Sequence, residues 1–396
     1  MPISRFFSAA WGNPSDYVQV EVKVIFNVQG RLSAIMTRPL RTGTGTITGA
    51  NGTIGYACVL YALQVGYRVR CVVRRSSAIE TIKSAPSVQS YLHRIEYAIV
   101  PDNILEDAYD EALKGAQYVV HIAGAWPMPH LHPDNDIYYP FIQSTKNLVM
   151  AAEKAGTIKR VVFTQAGAGL VDSEDGDTLG TRMDRVLNEQ VEVSRTSLEY
   201  RPPLKSPHNA YTAAKAQCMD YLAHVQATGQ LSFSITQIIP GTVIGPSEFC
   251  NTAEEARAHM DRQSKALLFN DAPPRYAFGF VHVQDCAKIH IEALDEEKVK
   301  SEDLPKWFVA AGTVEEGTDV TKLWNAAADI IEKEFGNEVN TGLFQVGRTK
   351  VPINAPFRVD SQMTEKLLLG GEKTRGLEES VCEVARWYVG LKRKEN

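Results

Sequence analysis

The feature that most constrains this 396-residue chain is a short strand pattern that runs directly into a glycine-rich turn and a helical stretch. The strand is predicted at Thr44–Thr48, and the turn reads Gly49-Ala50-Asn51-Gly52-Thr53-Ile54-Gly55. Gly49 allows a tight turn, Gly52 lets backbone N–H groups approach a diphosphate, and Gly55 lets the helix pack closely on the strand. The turn predicts a dinucleotide site, and the alternative is a turn of incidental glycines.

The end of the next predicted strand carries two arginines. The segment reads Val72-Val73-Arg74-Arg75-Ser76. A site specific for NAD usually has an acid here for the ribose 2′-hydroxyl, whereas a guanidinium pairs with a 2′-phosphate. Arg74 and Arg75 therefore favour NADP over NAD as the cofactor, and the alternative is that they are only a solvated strand end.

Short apolar segments alternate with longer amphipathic stretches from residue 44 onward. This order implies a parallel sheet with helices on both faces. We therefore predict an α/β fold, a doubly wound parallel Rossmann sheet with a smaller C-terminal substrate lobe. The predicted strands are Thr44–Thr48, Arg68–Val73, Ile95–Val100, Tyr118–Ile122, Arg160–Thr164 and Phe233–Ile239, and the predicted helical stretches are 54–65, 144–155 and 216–228.

Pattern changes along the chain predict three parts. Residues 1–43 are an N-terminal extension, in which alternating apolar residues between 18 and 26 indicate an edge strand or a loosely ordered arm. Residues 44–240 are the NADP-binding Rossmann domain and include the helix of the catalytic pair described below. Residues 241–396 are mainly a substrate-binding lobe, partly interleaved with the Rossmann domain. The charged segment 171–208 is predicted to be surface loop with one helix.

The charge balance of the chain argues against nucleic acid as a partner. Lys and Arg number 42 against 47 Asp and Glu, and the net charge of −5 does not favour a nucleic-acid-binding surface. No run approaches the ~18 to 20 apolar residues of a membrane span. We expect a soluble, cytoplasmic protein that binds a small-molecule substrate, with neither nucleic acid nor membrane as a partner.

The six cysteines lack the spacing of a disulfide framework or a metal site. They are Cys58, Cys71, Cys218, Cys250, Cys286 and Cys382.

A tyrosine and a lysine lie one helical turn apart in Tyr211-Thr212-Ala213-Ala214-Lys215. Because a helical stretch follows, both side chains are expected on the same face. A phenol with a pKa of ~10 needs a nearby cation to act as an acid or base near neutral pH, and an ammonium at i+4 supplies it. The spacing alone is a weak signal, but behind a glycine turn it predicts that Tyr211 and Lys215 are catalytic.

Several motifs along the chain occur in the order of a known family. They are residues 48–55, Val73-Arg74, Pro101-Asp102-Asn103-Ile104, His121-Ile122-Ala123-Gly124, Asn147, residues 160–164, Tyr211 with Lys215, residues 239–246 and residues 280–285. Over roughly residues 44–391 the chain resembles the extended short-chain dehydrogenase/reductases. The resemblance is to the dihydroflavonol reductase-like branch of the NAD-dependent epimerase/dehydratase family.

The resemblance implies that further residues lie along a bound cofactor. These are Asp102 and Ile104 beside the adenine, Ala123 and Gly124 at the cofactor-lining strand end, and Pro240 with its neighbours through Val243 beside the nicotinamide. Tyr211 and Lys215 complete this set, and Lys215 holds the ribose hydroxyls. The resemblance also implies that Asp285 caps a helix near the substrate lobe.

The chain departs from the family at one position of the implied active site. In the family a strand continues with Ser-Ser-Ala, and the second Ser donates a hydrogen bond to the reacting carbonyl. This chain reads Thr164-Gln165-Ala166-Gly167, with Ala166 at that position. Thr164 lies on the same strand face but ~6.5 Å deeper, and Gln165 points the other way unless the strand ends there. We retain Thr164 as a candidate catalytic residue, because a shifted loop would bring Thr164 or Gln165 into reach.

For the remaining polar candidates, the sequence favours structural roles over catalytic or metal-binding ones. His121 on a buried strand is interpreted as a core histidine. His130 and His132 have a spacing that suits a metal, but no third ligand is evident. The preceding segment Trp126-Pro127-Met128-Pro129 predicts an apolar loop over a pocket for an aromatic or polyketide-like substrate.

Together these features predict an NADP-dependent oxidoreductase. It would reduce a ketone or aldehyde of a small molecule to an alcohol, or catalyse the reverse reaction. One alternative is an epimerase, dehydratase or isomerase that uses the same cofactor without net redox change. A second alternative is a catalytically inactive cofactor-binding scaffold, for which Ala166 is the supporting feature.

Overall fold

Strands and helices alternate along the structure, a computed structural model that describes residues 41–170, 186–274, 278–349 and 357–395. The strands are β1 Thr44–Thr48, β2 Arg68–Val73, β3 Ile95–Ile99, β4 Tyr118–His121, β5 Arg160–Thr164, β6 Val186–Leu187, β7 Ser234–Pro240, β8 Thr242–Ile244, β9 Phe280–His282, β10 Phe308–Ala310 and β11 Arg358–Val359. The α-helices are α1 Thr53–Gln64, α2 Ser76–Ser84, α3 Asp110–Leu113, α4 Tyr139–Ala155, α5 Arg195–Glu199, α6 Pro207–Ala227, α7 Ala253–His259, α8 Arg262–Phe269, α9 Val283–Glu292, α10 Val320–Glu334, α11 Gly336–Asn340, α12 Gln362–Leu368 and α13 Leu377–Glu395. Short 3₁₀ or π segments lie at Pro86–Arg94, Pro133–Tyr138, Gly167–Leu170 and Ser301–Asp303.

A seven-stranded sheet in the order β10-β7-β5-β4-β1-β2-β3 forms the centre of the fold, and its strand pairs are parallel. The predicted α/β class and doubly wound parallel sheet are confirmed, and β1, β2 and β5 have the predicted bounds. The strand order reverses at β1, which lies between β2 and β4. Ligands of such sheets bind at the carboxyl ends of the strands beside this reversal.

Helices cover both faces of the sheet, as the continuously apolar strands require. Side chains on β5 alternate between the two faces. Val162 packs into the cluster that contains residues of α1 and α9, whereas Val161 and Phe163 pack into the cluster of α3 and α4. The sheet is therefore a buried layer, and its carboxyl edge is where loops and helix ends converge.

The chain after residue 240 completes the sheet and also builds a separate apolar cluster. β10 pairs with β7, and α9 packs on α1. By contrast, α7, α8, α10 and α13 surround a cluster that includes the buried Trp324 and Phe344. Elements of the C-terminal segment are thus shared between sheet and lobe. The division of the chain at residue 240 stays a prediction.

Some sequence-based expectations fall outside the described residues. The N-terminal extension, with its predicted strand between residues 18 and 26, lies there except for its last few residues, as does the stretch 171–185 of the predicted surface loop. The described remainder of that loop contains α5 and the short strand β6, which pairs with β11. Within the described ranges, no helix is both long and apolar enough to span a membrane.

Candidate functional site

The glycine turn after β1 has little space for side chains. Gly49 adopts a φ of +66°, and the Gly52 amide donates to the Gly49 carbonyl oxygen at 2.9 Å. A Cβ on Gly55 would lie 2.1 Å from the same oxygen. Asn51 and Gly52 are exposed at the start of α1, whereas Ile54 packs against the apolar cluster behind it. This geometry fits a diphosphate held by backbone amides at a helix N-terminus.

Thr48 ties the glycine turn to the end of β4. Its Oγ1 accepts hydrogen bonds from the amides of Ile122 at 3.0 Å and Ala123 at 3.1 Å, and it lies 2.9 Å from His121 Nδ1. Since both amides donate to Thr48, its single hydroxyl hydrogen goes to Nδ1. A Cβ on Gly49 would lie 3.1 Å from the Ala123 nitrogen. The structure therefore brings together the predicted cofactor residues of the turn and of the β4 end.

His121 is a buried structural residue, as the sequence indicates. Its ring packs edge-on against Tyr109 and Phe163, with centroids 5.7 and 5.4 Å away. Burial, followed by the charge of Lys215, lowers the pKa of His121 to about 3. The imidazole is therefore neutral near pH 7 and acts through its hydrogen bond to Thr48.

Arg74 and Arg75 lie exposed where β2 ends, next to the glycine turn. The Ala50 amide of the turn donates to the Val72 carbonyl oxygen at 3.4 Å, which places the two segments side by side. At the start and middle of the same strand, Arg68 and Arg70 pair with Glu96. In the described part of the chain neither Arg74 nor Arg75 has such a carboxylate partner, so both guanidinium groups are available to an anion.

The segment predicted to lie beside the adenine is held in place by Asn147, whose role the sequence did not reveal. The buried Asn147 Nδ2 donates to the carbonyl oxygens of Asn103 at 3.2 Å and Leu105 at 2.7 Å. The Ile104 amide donates to Asp102 Oδ1 at 3.0 Å, and the Ile104 side chain is 43% exposed. In the sequence, a single asparagine in a helix does not indicate that it holds a loop, because only the fold shows which carbonyl groups it bonds.

Tyr211 and Lys215 lie on α6, one turn apart as predicted. Lys215 Nζ donates to the Thr164 carbonyl oxygen at 2.9 Å and lies 4.6 Å from the Phe141 ring centroid and 5.9 Å from that of Tyr211. The Phe141 and Tyr211 rings meet edge to face at 5.6 Å. α6 and the end of β5 thus hold the ammonium at a fixed position beside the phenol.

Burial shifts the pKa of both groups in the pair. It lowers the pKa of Lys215 to about 8 and raises the pKa of Tyr211 above its ordinary value. The expectation that Lys215 lowers the pKa of Tyr211 is not met in this geometry: desolvation is the cause of the shift, and Lys215 Nζ lies 5.9 Å from the Tyr211 ring centroid. Tyr211 is consequently a protonated phenol at neutral pH, able to donate a proton or hydrogen bond.

The hydroxyl of Thr164 is engaged away from Tyr211. His290 Nδ1 lies 2.7 Å from the Cys286 carbonyl oxygen, which only accepts, so the ring proton sits on Nδ1. Thr164 Oγ1, 3.0 Å from His290 Nε2, must then be the donor in that contact. Burial lowers the pKa of His290 to about 4, which keeps the ring neutral. Thr164 therefore contacts the Tyr211–Lys215 pair through its carbonyl oxygen, which accepts from Lys215. The prediction that its hydroxyl donates to the substrate carbonyl is corrected, because that hydroxyl donates to His290.

Gln165 is also engaged within the protein. Its buried Nε2 donates to Gln237 Oε1 at 2.8 Å, and its backbone amide donates to the Ile238 carbonyl oxygen at 2.7 Å. The side chain thus points into the sheet, as the alternation of the strand predicts. Neither neighbour of Ala166 on its N-terminal side replaces the missing hydroxyl.

An apolar loop follows β4 and reaches Tyr211. The Trp126 ring centroid is 5.8 Å from that of Tyr211, although the Trp126 side chain is 70% exposed. Met128 is 44% exposed. A Cβ on Gly124 would lie 2.3 Å from the Phe141 ring, so glycine is required where the loop leaves the strand. The predicted apolar loop therefore borders the Tyr211 hydroxyphenyl ring.

The histidines of this loop have separate positions. His132 Nδ1 accepts hydrogen bonds from the amides of Asp134 at 3.2 Å and Asn135 at 3.3 Å, so it caps the segment Pro133–Tyr138. His130 is exposed. Across the described ranges, no group of three or more His, Cys, Asp or Glu is placed to hold a metal ion.

The segment predicted to border the nicotinamide lies at the carboxyl end of β7. Pro240 and Val243 are partly exposed there, on β7 and β8. The predicted helix cap at Asp285 is wrong, because the N-cap of α9 is His282, which accepts from the Gln284 amide at 3.3 Å. Asp285 instead accepts a hydrogen bond from the Arg375 amide at 2.8 Å. The buried His282 occupies the capping position that the sequence pattern suggested for Asp285.

Two curated relatives align with half or more of this chain at low sequence identity. Ketoreductase CTB6 of Cercospora nicotianae is 24% identical over 362 residues, which cover 88% of this chain and 96% of the relative. Dihydroflavonol 4-reductase of Hordeum vulgare is 27% identical over 205 residues, which cover 52% of this chain and 54% of the relative. The second relative agrees with the branch that the motifs resemble.

A solved structure and a family model complete the comparison. Yeast methylglyoxal/isovaleraldehyde reductase Gre2, complexed with NADPH, aligns with a TM-score of 0.67 and 20% identity over 89% of this chain and 99% of that chain, which shows a common fold. The model of the NAD-dependent epimerase/dehydratase family matches residues 46–305, more than half of the chain. The chain therefore belongs to the NAD-dependent epimerase/dehydratase family.

Proposed function

We propose that this protein is an NADP(H)-dependent carbonyl reductase. The observation that carries the proposal is the pair on α6: a protonated phenol, Tyr211, beside an ammonium, Lys215, that the Thr164 carbonyl oxygen holds at 2.9 Å. The pair faces the apolar loop after β4, whose strand end meets the glycine turn. A proton donor beside a dinucleotide cradle suits reduction of a carbonyl.

The residues present fit the cofactor. The glycine turn with Asn51 and Thr53 would hold the diphosphate, and Arg74 and Arg75 would bind the 2′-phosphate. Asp102 and Ile104 would lie beside the adenine. The nicotinamide half would be bordered by Ala123, Gly124, Pro240 and Val243. Bound NADPH supplies the hydride that the carbonyl carbon receives. Tyr211 gives its proton to the carbonyl oxygen and regains a proton from solvent, and Lys215 would hold the ribose hydroxyls of the nucleotide.

The substrate we propose is a small aromatic or polyketide-like ketone or aldehyde. The exposed Trp126 ring beside Tyr211 offers a flat surface to such a molecule, and the exposed Met128 of the same loop adds apolar surface. The name of the relative from Cercospora nicotianae, a ketoreductase, supports reduction of a ketone.

The test is NADPH consumption with a panel of aromatic and aliphatic ketones and aldehydes. We expect turnover with aromatic members, at least about tenfold higher in kcat/KM than with aliphatic ones of equal size, because only flat rings stack on Trp126. Trp126→Ala should remove most of that preference. Tight NADPH binding without turnover across the panel would contradict the proposal and favour an inactive scaffold.

A second candidate is a non-redox epimerase, dehydratase or isomerase. The observation in its favour is that Thr164 and Gln165 are engaged elsewhere, so neither of them supplies the donor missing at Ala166. Such an enzyme would form product while the nicotinamide absorbance returns to its starting value after each turnover. Stoichiometric NADPH loss would exclude it.

A further inference from the structure

A histidine from the C-terminal lobe reaches the glycine turn. His259, the last residue of α7, places its Nε2 3.2 Å from Oγ1 of Thr53, the first residue of α1. Thr53 follows Gly52, whose backbone approaches the proposed diphosphate position. No sequence motif pointed to this contact, since 206 residues separate the two side chains.

The lobe holds α7 in a defined position. A capping box between Thr252 and Glu255 begins the helix, and the Ala253 amide donates to Glu395 Oε1 of α13 at 2.7 Å. Met260, which follows the histidine, is buried in the lobe cluster. His259 therefore extends from a helix whose two ends are both anchored.

The surroundings of His259 leave its charge available to an anion. Lys265 of α8 donates to the Ala258 carbonyl oxygen at 3.0 Å, and the α1 N-terminus has no acidic residue in its first turn. The charged groups on the neighbouring elements are Lys265 and Arg262 on α8, Asp261 at the N-cap of α8, Arg257 paired with Asp271, Glu254 and Glu255 on α7, Lys392 and Glu395 on α13, and Glu248, which accepts a hydrogen bond from Tyr56 of α1. His259 is exposed, and partial desolvation and, second, Lys265 lower its pKa below the ordinary value. A cation is disfavoured there until a negative ligand compensates it.

We propose that His259 is a cofactor-binding residue that orients the Thr53 hydroxyl and, when protonated, places a positive charge beside the diphosphate of the bound nucleotide. This inference rests on the proposed NADP(H) site and adds a contribution of the lobe to it. The diphosphate raises the His259 pKa, so binding takes up a proton between the free and the bound pKa. Affinity is then highest at low pH and falls as pH rises through the pKa of the complex.

The experiment is calorimetric titration of the full chain with NADPH and with NADH at about pH 6 and about pH 8.5. His259→Ala should weaken both nucleotides about fivefold to twentyfold at the lower pH and about twofold at the higher pH. His259→Gln keeps a neutral donor and should bind like the parent at high pH while losing the extra affinity at low pH. NADH matters because it lacks the 2′-phosphate, which titrates near the same pH. His93→Ala, an exposed histidine beside Arg94, which donates to Leu63 at the other end of α1, is the matched control and should change nothing.

The outcomes separate the two proposals. A parent protein that binds neither nucleotide overturns the cofactor assignment itself. A parent that binds NADPH while His259→Ala and His259→Gln bind equally well at both pH values overturns the role of His259 alone. Repeating the titration in buffers of different ionisation enthalpy should show proton uptake for the parent and less for both variants.

Discussion

The proposed cofactor side and the proposed substrate side of the candidate site are built in different ways. On the cofactor side, close backbone contacts restrict which residues fit. A Cβ on Gly55 would lie 2.1 Å from the Gly49 carbonyl oxygen, and Thr48 joins the ends of β1 and β4 through three contacts. On the substrate side, exposed side chains such as Trp126 and the changed position Ala166 define the surface. The first kind of site is fixed by local geometry, whereas the second can change with single substitutions.

The largest effect is expected at the pair that the substrate side retains. Tyr211→Phe removes the proton donor and should lower kcat about a thousandfold, with NADPH affinity nearly unchanged, because the lost hydroxyl acts on the reacting carbonyl. Lys215→Met should impair both quantities. Steady-state kinetics and calorimetry would measure them. A Tyr211→Phe enzyme with more than about half of the parent kcat would refute the catalytic assignment.

The glycine turn should tolerate no added methyl group where backbone atoms crowd it. Gly55→Ala should weaken NADPH binding more than about a hundredfold and lower the melting temperature, since the Gly49 carbonyl must move. Gly45→Ala in the preceding strand is the matched control, because a Cβ there meets no atom within 4 Å. Equal affinities for the two variants would show that the turn is not the cradle.

The arginines at the β2 end test the choice between two nucleotides. Arg74→Ala should weaken NADPH by ~1.5 to 3 kcal/mol, about tenfold to a hundredfold, while NADH affinity barely changes. Arg68→Ala, at the other end of the same strand and 3.7 Å from Glu96, controls for the loss of one positive charge. Tighter binding of NADH than NADPH by the parent would contradict the assignment.

The smallest effect is a gain at Ala166. Because Thr164 and Gln165 donate to His290 and Gln237, a hydroxyl introduced by Ala166→Ser should restore a missing donor to the carbonyl. We expect kcat to rise about tenfold, less than the ~3 kcal/mol cost of deleting such a donor from an optimised site. Kinetics of both proteins on one substrate measure the ratio. A rate that stays the same or falls would indicate an ordered water in that role or a different reaction.

Much of the fold was predictable because its signals are local. The strand bounds at Arg68–Val73 and Arg160–Thr164 follow from short apolar runs, and the glycine turn follows from backbone sterics. The contacts of His259, Asn147 and His290 were not predictable, since each joins elements far apart in the sequence. Such contacts depend on helix packing, which leaves no periodic signal in the chain.

The same distinction explains the corrections at the site. Whether Thr164 donates to a substrate or to His290 depends on α9, which lies 126 residues further along the chain. The Tyr211 pKa depends on how deeply α6 is buried, and the spacing to Lys215 does not report burial. Residue type and spacing therefore pointed to the candidate residues, while packing determined their hydrogen-bond partners and protonation.

In the proposed reaction, hydride passes from NADPH to a carbonyl carbon while Tyr211 protonates the oxygen. The most direct measurement uses NADPH deuterated at both C4 positions of the nicotinamide, with mass spectrometry of the product of the best panel substrate. We predict one deuterium on the new alcohol carbon for each NADP⁺ formed, and almost no labelled product with Tyr211→Phe. Product that forms without deuterium, with the label retained in the cofactor, would show that the protein does not reduce the carbonyl.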